Sequence, residues 1–416
     1  MSAISAARML ERLEALARHS ELPGGLTRVY LSQEQRAATS LVTEWMRAAG
    51  MSVRLDAAGN VVGRYEGERP GLPCLMLGSH LDTVRNAGKY DGMLGVVSAI
   101  ECVHAIAGKE RAAGRRLPFA IEVVGFADEE GVRFGVTLLG SRAVAGTFDP
   151  KALQAKDQDG VTLAEAMRGF GLDPARVGEA ARRGDEVLAY AELHIEQGPV
   201  LEAEGLPVGV VTAINGFSRM TVAIGGTAGH AGTVPMAMRR DALAAAAECV
   251  LAVERIGASE AELVATVGRM EALPGAINVI PGETRFTLDV RAPSDEQRAR
   301  ALARIETEFD AIRARRGVTL AIERLLDFGV TACAPWLMAR LERAVAAEGV
   351  RLRRLPSGAG HDGMAIQAIA DIAMLFVRCE KGISHNPVEA ITAADAETGT
   401  RVLLRFIEDF RAERRS

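Results

Sequence analysis

Apolar residues recur at the i, i+3, i+4 spacing of a helix in "SAARMLERLEALARH" and "SQEQRAATSLVTEWMRAAG", which predicts two amphipathic helices near the amino terminus. "LPCLMLGSH", "LPFAIEVVGFADEEG" and "EVLAYAELHIEQG" read differently. Each is a short apolar run that breaks into a polar, glycine-bearing turn, as a strand buried on both faces does. Helices alternating with such strands predict an α/β fold, a mostly parallel sheet sandwiched by helices.

The pattern changes near Gly209–Gly216. "SRMTVAIGG" alternates Met220, Val222 and Ile224 with polar positions, the period of a half-solvated strand. "RRDALAAAAECVLAVERIG" then predicts a helix, "ETRFTLDVRAP" a strand, and "SDEQRARALARIETEFDAIRARRG" a helix with Ser294 as its N-cap. Strand and helix alternating in this way predict a smaller α+β domain inserted into the larger one. The boundaries are 1–211 for the first part of the large domain, 212–327 for the insert and 328–416 for the second part. After "LLDFGVTACAP" the helix–strand alternation resumes, ending in "DIAMLFVRCEKGISHNP" and a final helix.

Length agrees with more than one domain: 416 residues exceed a single ordinary core. A 48% hydrophobic share, 25% charged residues and a net charge of −5 describe a globular chain without a basic face for nucleic acid. The arginine-rich "RLRRL" and "RAERRS" are short and read as solvated helix surface. Cys74, Cys102, Cys249, Cys333 and Cys379 are widely spaced with no CxxC pair, which favours a reducing, cytoplasmic setting and argues against a thiolate zinc site. No stretch reaches the ~18 apolar residues of a membrane span, and "MSAISAARMLERLEALARHSEL" lacks the apolar centre of a signal peptide.

Chemistry concentrates at strand ends. Of seven histidines, His80, His194 and His385 each follow or close an apolar strand-like run, and Glu129 and Glu130 in "GFADEEG" follow another. Loops leaving the carboxyl ends of parallel strands converge on one crevice. "GSHLDTVRNAGKYDGMLGVV" adds Asp82 and Asp91 beside glycines that let a loop fold tightly. Histidines with carboxylates suit a borderline divalent metal such as zinc. His19 and His104 fall on predicted helices away from any motif and read as surface or packing residues.

"GSHLDTV", "KYDGMLGV", "FADEEGVRFG", "ELHIEQGPVLE", "GTAGHAGTVPMAMRRDAL", "INVIPG", "LDVRAP", "SGAGHDGM" and "GISHNP" together resemble the zinc-dependent exopeptidase and amidohydrolase group of aminoacylases and carboxypeptidase G type enzymes. "HIEQGP" and "SGAGHD" are similar to its ureido-hydrolysing branch: allantoate amidohydrolase, N-carbamoyl-L-amino-acid hydrolase and β-ureidopropionase. The peptidase branch carries a carboxylate where His194 stands.

The resemblance implies a zinc-exopeptidase-like catalytic domain with an inserted lid and dimerisation domain. It also implies two divalent ions, zinc or manganese with cobalt or nickel as options. Asp91 would bridge them, His80 and His194 completing one site, Glu130 and His385 the other. Asp82 would accept a hydrogen bond from the second ring nitrogen of His80 and orient it, and Glu129 would be the general base. His230 would stabilise the oxyanion in the site of a partner copy, implying a homodimer. Arg291 would grip a substrate carboxylate with its planar fork. Asn278, Gln197, Gly360 and His361 would complete substrate binding. The implied reaction is hydrolysis of a ureido group on a small carboxylate, the resulting carbamate falling apart to ammonia and carbon dioxide. Segments near Gly209–Gly216 and Leu326–Gly329 would act as hinges. "DTVRNAGKYDGMLGV" and "GISHNP" favour allantoate as substrate, with N-carbamoyl-L-amino acids second. A dipeptidase or aminoacylase and a non-catalytic binding protein are the rival readings.

Overall fold

The computed structural model describes residues 4–411. Two compact units are present: Met1–Thr212 with Ala332–Leu355 and Gly360–Ser416, and Ala213–Thr331 with Pro356–Ala359.

The first unit is built on a nine-stranded mixed sheet. Its centre is parallel, with Ala120–Phe126, Cys74–His80, Val187–Ile195 and Ile372–Val377 side by side. Antiparallel strands flank this centre, Ser52–Leu55 and Val61–Tyr65 on one side and Val208–Ile214 on the other. Every residue of Cys74–His80 and Ala120–Phe126 is buried, which is why these strands carry continuous apolar runs rather than alternation. The amphipathic helices Ala6–Ala17 and Gln33–Ala48 lie where the apolar periodicity predicts, capped by Ser5 and Ser32. Helix Met93–Ala113 is buried along most of its length and packs into the same apolar core. Gly92, at φ +70°, starts it immediately after Asp91. The stretch "RLRRL" is not helical: Arg354 begins a short strand, and its arginines pair with Glu204 and Glu342. Of "RAERRS", residues 412–416 lie outside the described residues. All five cysteines are buried and free.

The second unit contains a five-stranded antiparallel sheet with Glu283–Ala292, Gly216–Gly225 and Thr319–Phe328 as successive neighbours. Met220, Val222 and Ile224 alternate inward as predicted and meet Phe286, Leu288 and Val290 in one core. Helices Ala242–Gly257 and Asp295–Arg316 supply the apolar residues that cover this face, and Ser294 caps the second through Gln297 N–H. Phe309 is fully buried, edge-on to Phe286 at 5.9 Å. Truncation in Phe309→Ala is expected to cost about 3–5 kcal/mol, to be read from chemical denaturation followed by circular dichroism.

Candidate metal and active site

Four strand ends of the first unit deliver the side chains. His80 ends Cys74–His80, His194 lies near the end of Val187–Ile195, Glu129 and Glu130 follow Ala120–Phe126, and His385 lies in the loop after Ile372–Val377. Asp91 comes from the loop between His80 and the buried helix. Its Oδ1 lies 3.4 Å from His80 Nε2 and 3.1 Å from His194 Nε2. Its Oδ2 lies 3.2 Å from His385 Nε2, and that nitrogen is 3.4 Å from Glu130. One carboxylate therefore faces two separate donor groups with its two oxygens. Ligand atoms of His80, Asp91 and His194, and again of Asp91, Glu130 and His385, lie within 4.8 Å of one another.

Backbone carbonyls fix the imidazoles. His80 Nδ1 is 3.0 Å from Asp82 O and His194 Nδ1 is 2.9 Å from Ile195 O. A carbonyl can only accept, so each Nδ1 carries the proton and each neutral ring turns an Nε2 lone pair inward. Gly92 N–H donates to His194 Nε2 at 3.2 Å, which agrees with that tautomer. A Cβ on Gly92 would come within 2.5 Å of the His80 ring, so only glycine lets the loop close here. In the neutral form, the His80 and His194 lone pairs face Asp91 Oδ1, with the two nitrogens 3.5 Å apart. Acceptors at that spacing repel unless positive charge lies among them. Burial opposes charging His80, yet Asp91, Asp82 and Glu129 outweigh it and raise its pKa well above the usual value. The histidine and carboxylate donors of this cluster could hold a divalent metal ion.

Asp82 differs from expectation in one respect. The orienting bond to His80 comes from its main-chain carbonyl, while the carboxylate oxygen lies 3.6 Å from the ring nitrogen. That carboxylate instead accepts from Glu129 N–H at 3.0 Å and Glu130 N–H at 3.1 Å, fixing the acidic turn. Glu129 is 8% exposed. Burial pushes its pKa up to about 7; His80 opposes the shift, and Asp82, Asp91 and Glu192 add to it. Burial, then the charges of Glu129 and Asp91, push Glu130 up to about 10.

Gln197 and His385 both hold left-handed backbone conformations, φ +57° and +54°, where non-glycine residues are strained. Gln197 Nε2 donates to Asp91 Oδ2 at 2.9 Å, and its Oε1 is buried with no partner among the described residues. His361 is buried edge-on to His194 at 4.5 Å between ring centres, and burial pushes its pKa well below the usual imidazole range. Gly360 lies beside Glu129: a Cβ there would sit 3.3 Å from its Oε1. Ser384 and Glu389, which the motifs did not single out, also reach this site. Ser384 Oγ donates to Asp91 Oδ2 at 2.9 Å. Glu389 accepts from Tyr90 and Asp91 N–H groups.

His230, Asn278 and Arg291 belong to the second unit. His230 is exposed on a two-stranded pairing with Val279–Ile280, next to Asn278, whose carbonyl accepts from Ala231 N–H. Its Nδ1 accepts from Gly232 N–H at 3.0 Å, leaving Nε2–H as a donor. Arg291 is already engaged: Asp289 takes Nε–H and an Nη2–H at 2.8 and 3.0 Å, and Gly358 O takes an Nη1–H at 2.7 Å. Its guanidinium also lies over the Phe217 ring at 5.5 Å. A guanidinium has five N–H groups, so a substrate carboxylate would meet only the remainder of the fork.

A mixed sheet with a parallel centre carries this histidine and carboxylate set at its strand ends, the setting of a hydrolase of the peptidase type. The chain belongs to peptidase family M20/M25/M40, whose model matches residues 76–409. It is 44% identical over 405 residues to an N-carbamoyl-L-amino acid amidohydrolase of Geobacillus stearothermophilus, covering 97% of this chain and 98% of that one. It is 38% identical over 429 residues to allantoate deiminase 1 of Glycine max, covering 96% and 88%. The crystal structure of an amidase of the hydantoinase/carbamoylase family from Burkholderia multivorans superposes with a TM-score of 0.90 at 35% identity, covering 97% of each chain. No helix among the described residues is long and apolar enough to cross a membrane.

Proposed function

We propose that this chain hydrolyses the ureido C–N bond of a small carboxylate, using two divalent ions held by His80, Asp91, Glu130, His194 and His385. The observation that carries this reading is Asp91, each oxygen turned to a different donor group, beside the buried Glu129. When bound, the ions supply Lewis acidity that activates water and polarises the ureido carbonyl. Glu129 takes the proton of the attacking water and delivers it to the departing nitrogen, so one group serves as base and then acid. His230, with Nε2–H free to donate, would stabilise the oxyanion in the site of a second copy, and Arg291 and Asn278 would hold the substrate carboxylate. The carbamate then falls apart to ammonia and carbon dioxide.

N-carbamoyl-L-amino acids are the substrates we favour, supported by the higher identity and fuller coverage of the Geobacillus relative. Allantoate is the second reading, supported by "DTVRNAGKYDGMLGV", "GISHNP" and the Glycine max relative. Ammonia release from N-carbamoyl-L-methionine, N-carbamoyl-β-alanine and allantoate tests the choice, with N-acetyl-L-methionine as a control for acylase activity. The expected result is a kcat/KM at least ~10-fold higher on N-carbamoyl-L-methionine, about 1.4 kcal/mol of discrimination. Faster cleavage of the N-acetyl substrate would overturn the ureido assignment.

A further inference from the structure

Glu389 is a buried carboxylate that the reaction outlined above does not use. It is 3% exposed and has no ion-pair partner among the described residues. Burying an unpaired acid is costly unless its oxygens are well bonded. Here both are. Oε1 accepts from the backbone N–H groups of Tyr90 at 2.8 Å and Asp91 at 3.1 Å. Oε2 lies 2.9 Å from Ser384 Oγ, and Asp91 Oδ2 lies at the same distance on its other side, so the one hydroxyl proton bridges the two carboxylates by serving either in turn. Glu389 thus reaches the shared carboxylate by two routes, through its main chain and through the side-chain oxygen that faces His385. Gly88 makes the approach possible, since a Cβ there would lie 2.3 Å from atoms of Glu389. Only the residue without a side chain admits the carboxylate against the loop.

We propose that Glu389 is a positioning residue for Asp91, holding its backbone and, through Ser384, its Oδ2, so that the second donor group is set for a metal ion. This rests on the two-ion reading of the site. Glu389 is in none of the groups of described residues that could hold an ion. It acts through Asp91, and its removal frees the N–H groups of Tyr90 and Asp91 and releases the Ser384 hydroxyl from its second acceptor.

The test compares zinc binding by the full-length wild type, Glu389→Leu, Glu389→Gln and Ser384→Ala. It uses a chromophoric chelator as competitor and elemental analysis for stoichiometry. Thermal unfolding of each metal-free protein is followed in parallel. Glu389→Leu is expected to weaken the more loosely held ion by ~10–100-fold, the usual cost of losing an outer partner of a metal ligand. Glu389→Gln keeps an acceptor oxygen for the two N–H groups and should recover most of that loss. Ser384→Ala cuts only the side-chain route and should weaken binding by roughly 10-fold, with metal-free unfolding unchanged.

Wild-type affinity in Glu389→Leu would overturn the proposal, as would a loss in Glu389→Gln as deep as in Glu389→Leu, because charge rather than bonding would then be responsible. If Glu389→Leu does not fold without metal, unchanged affinity in Ser384→Ala overturns it equally. A wild type that binds no zinc defeats the two-ion reading itself, whereas two tight ions in every variant defeat only the role of Glu389.

Discussion

Glu129→Gln is expected to lower kcat on a ureido substrate by ~10²–10⁴-fold while leaving two metal ions per chain. The amide is nearly isosteric with the acid but cannot accept and return a proton at the attacking water. Its neighbour Glu130, the proposed ligand, is unchanged, and the backbone of both stays tied to Asp82 by N–H bonds that the substitution does not touch. Loss of turnover with metal retained separates a proton-transfer role from a ligand role. Ammonia release and elemental analysis on the same sample check it. Near wild-type turnover would remove Glu129 from the chemistry, and loss of one ion would instead make it a ligand.

Chelation is the second large effect. Stripping the ions with a strong chelator should reduce turnover to background, and zinc or manganese should restore it. The metal-free protein should also become less stable as pH rises. Burial, opposed by His80 and reinforced by Asp82, Asp91 and Glu192, raises Glu129 from 4.5 to about 7. A raised carboxyl pKa means that the folded state keeps a proton the unfolded chain has released, so stability falls as pH climbs from about 4.5 through about 7. Glu130, raised to about 10, extends the same slope upward. The unfolding temperature of the stripped protein should therefore drop by about 5 °C between pH 5 and pH 8, while the zinc-loaded protein stays flat over that window. A stripped protein that gains stability with pH would show that the acids are not buried together as the structure has them.

Much of this was legible in the chain because the signals were local. A strand buried on both faces writes itself as an unbroken apolar run, so "CLMLGSH" and "AIEVVGF" announced both strands and the polar groups leaving their ends. The alternation of Met220, Val222 and Ile224 and the cap at Ser294 were visible for the same reason. Helix Met93–Ala113 was not, because it is buried on almost every side and carries no amphipathic period to detect. "RLRRL" misled because charge density marks solvation without specifying backbone conformation. In the site, the residue types could be read but not their geometry. Asp82 had the right spacing to orient His80, yet its carbonyl does so and its carboxylate serves the next loop. Glu389, five residues beyond Ser384, had one available signal, an acid following a candidate ligand histidine with no basic residue between them. Its bonds to positions 90 and 91 span 299 and 298 residues of sequence and leave no local trace.

The two ring protons at His80 and His194 are held by main-chain oxygens. Point substitution can replace any side chain nearby, but it cannot delete a peptide carbonyl. The inward-facing nitrogens are thus inherited from the path of the chain and should persist through sequence drift. Evolution's freedom to adjust which ion is preferred falls instead on the replaceable groups around Asp91, Gln197 and Ser384 first among them.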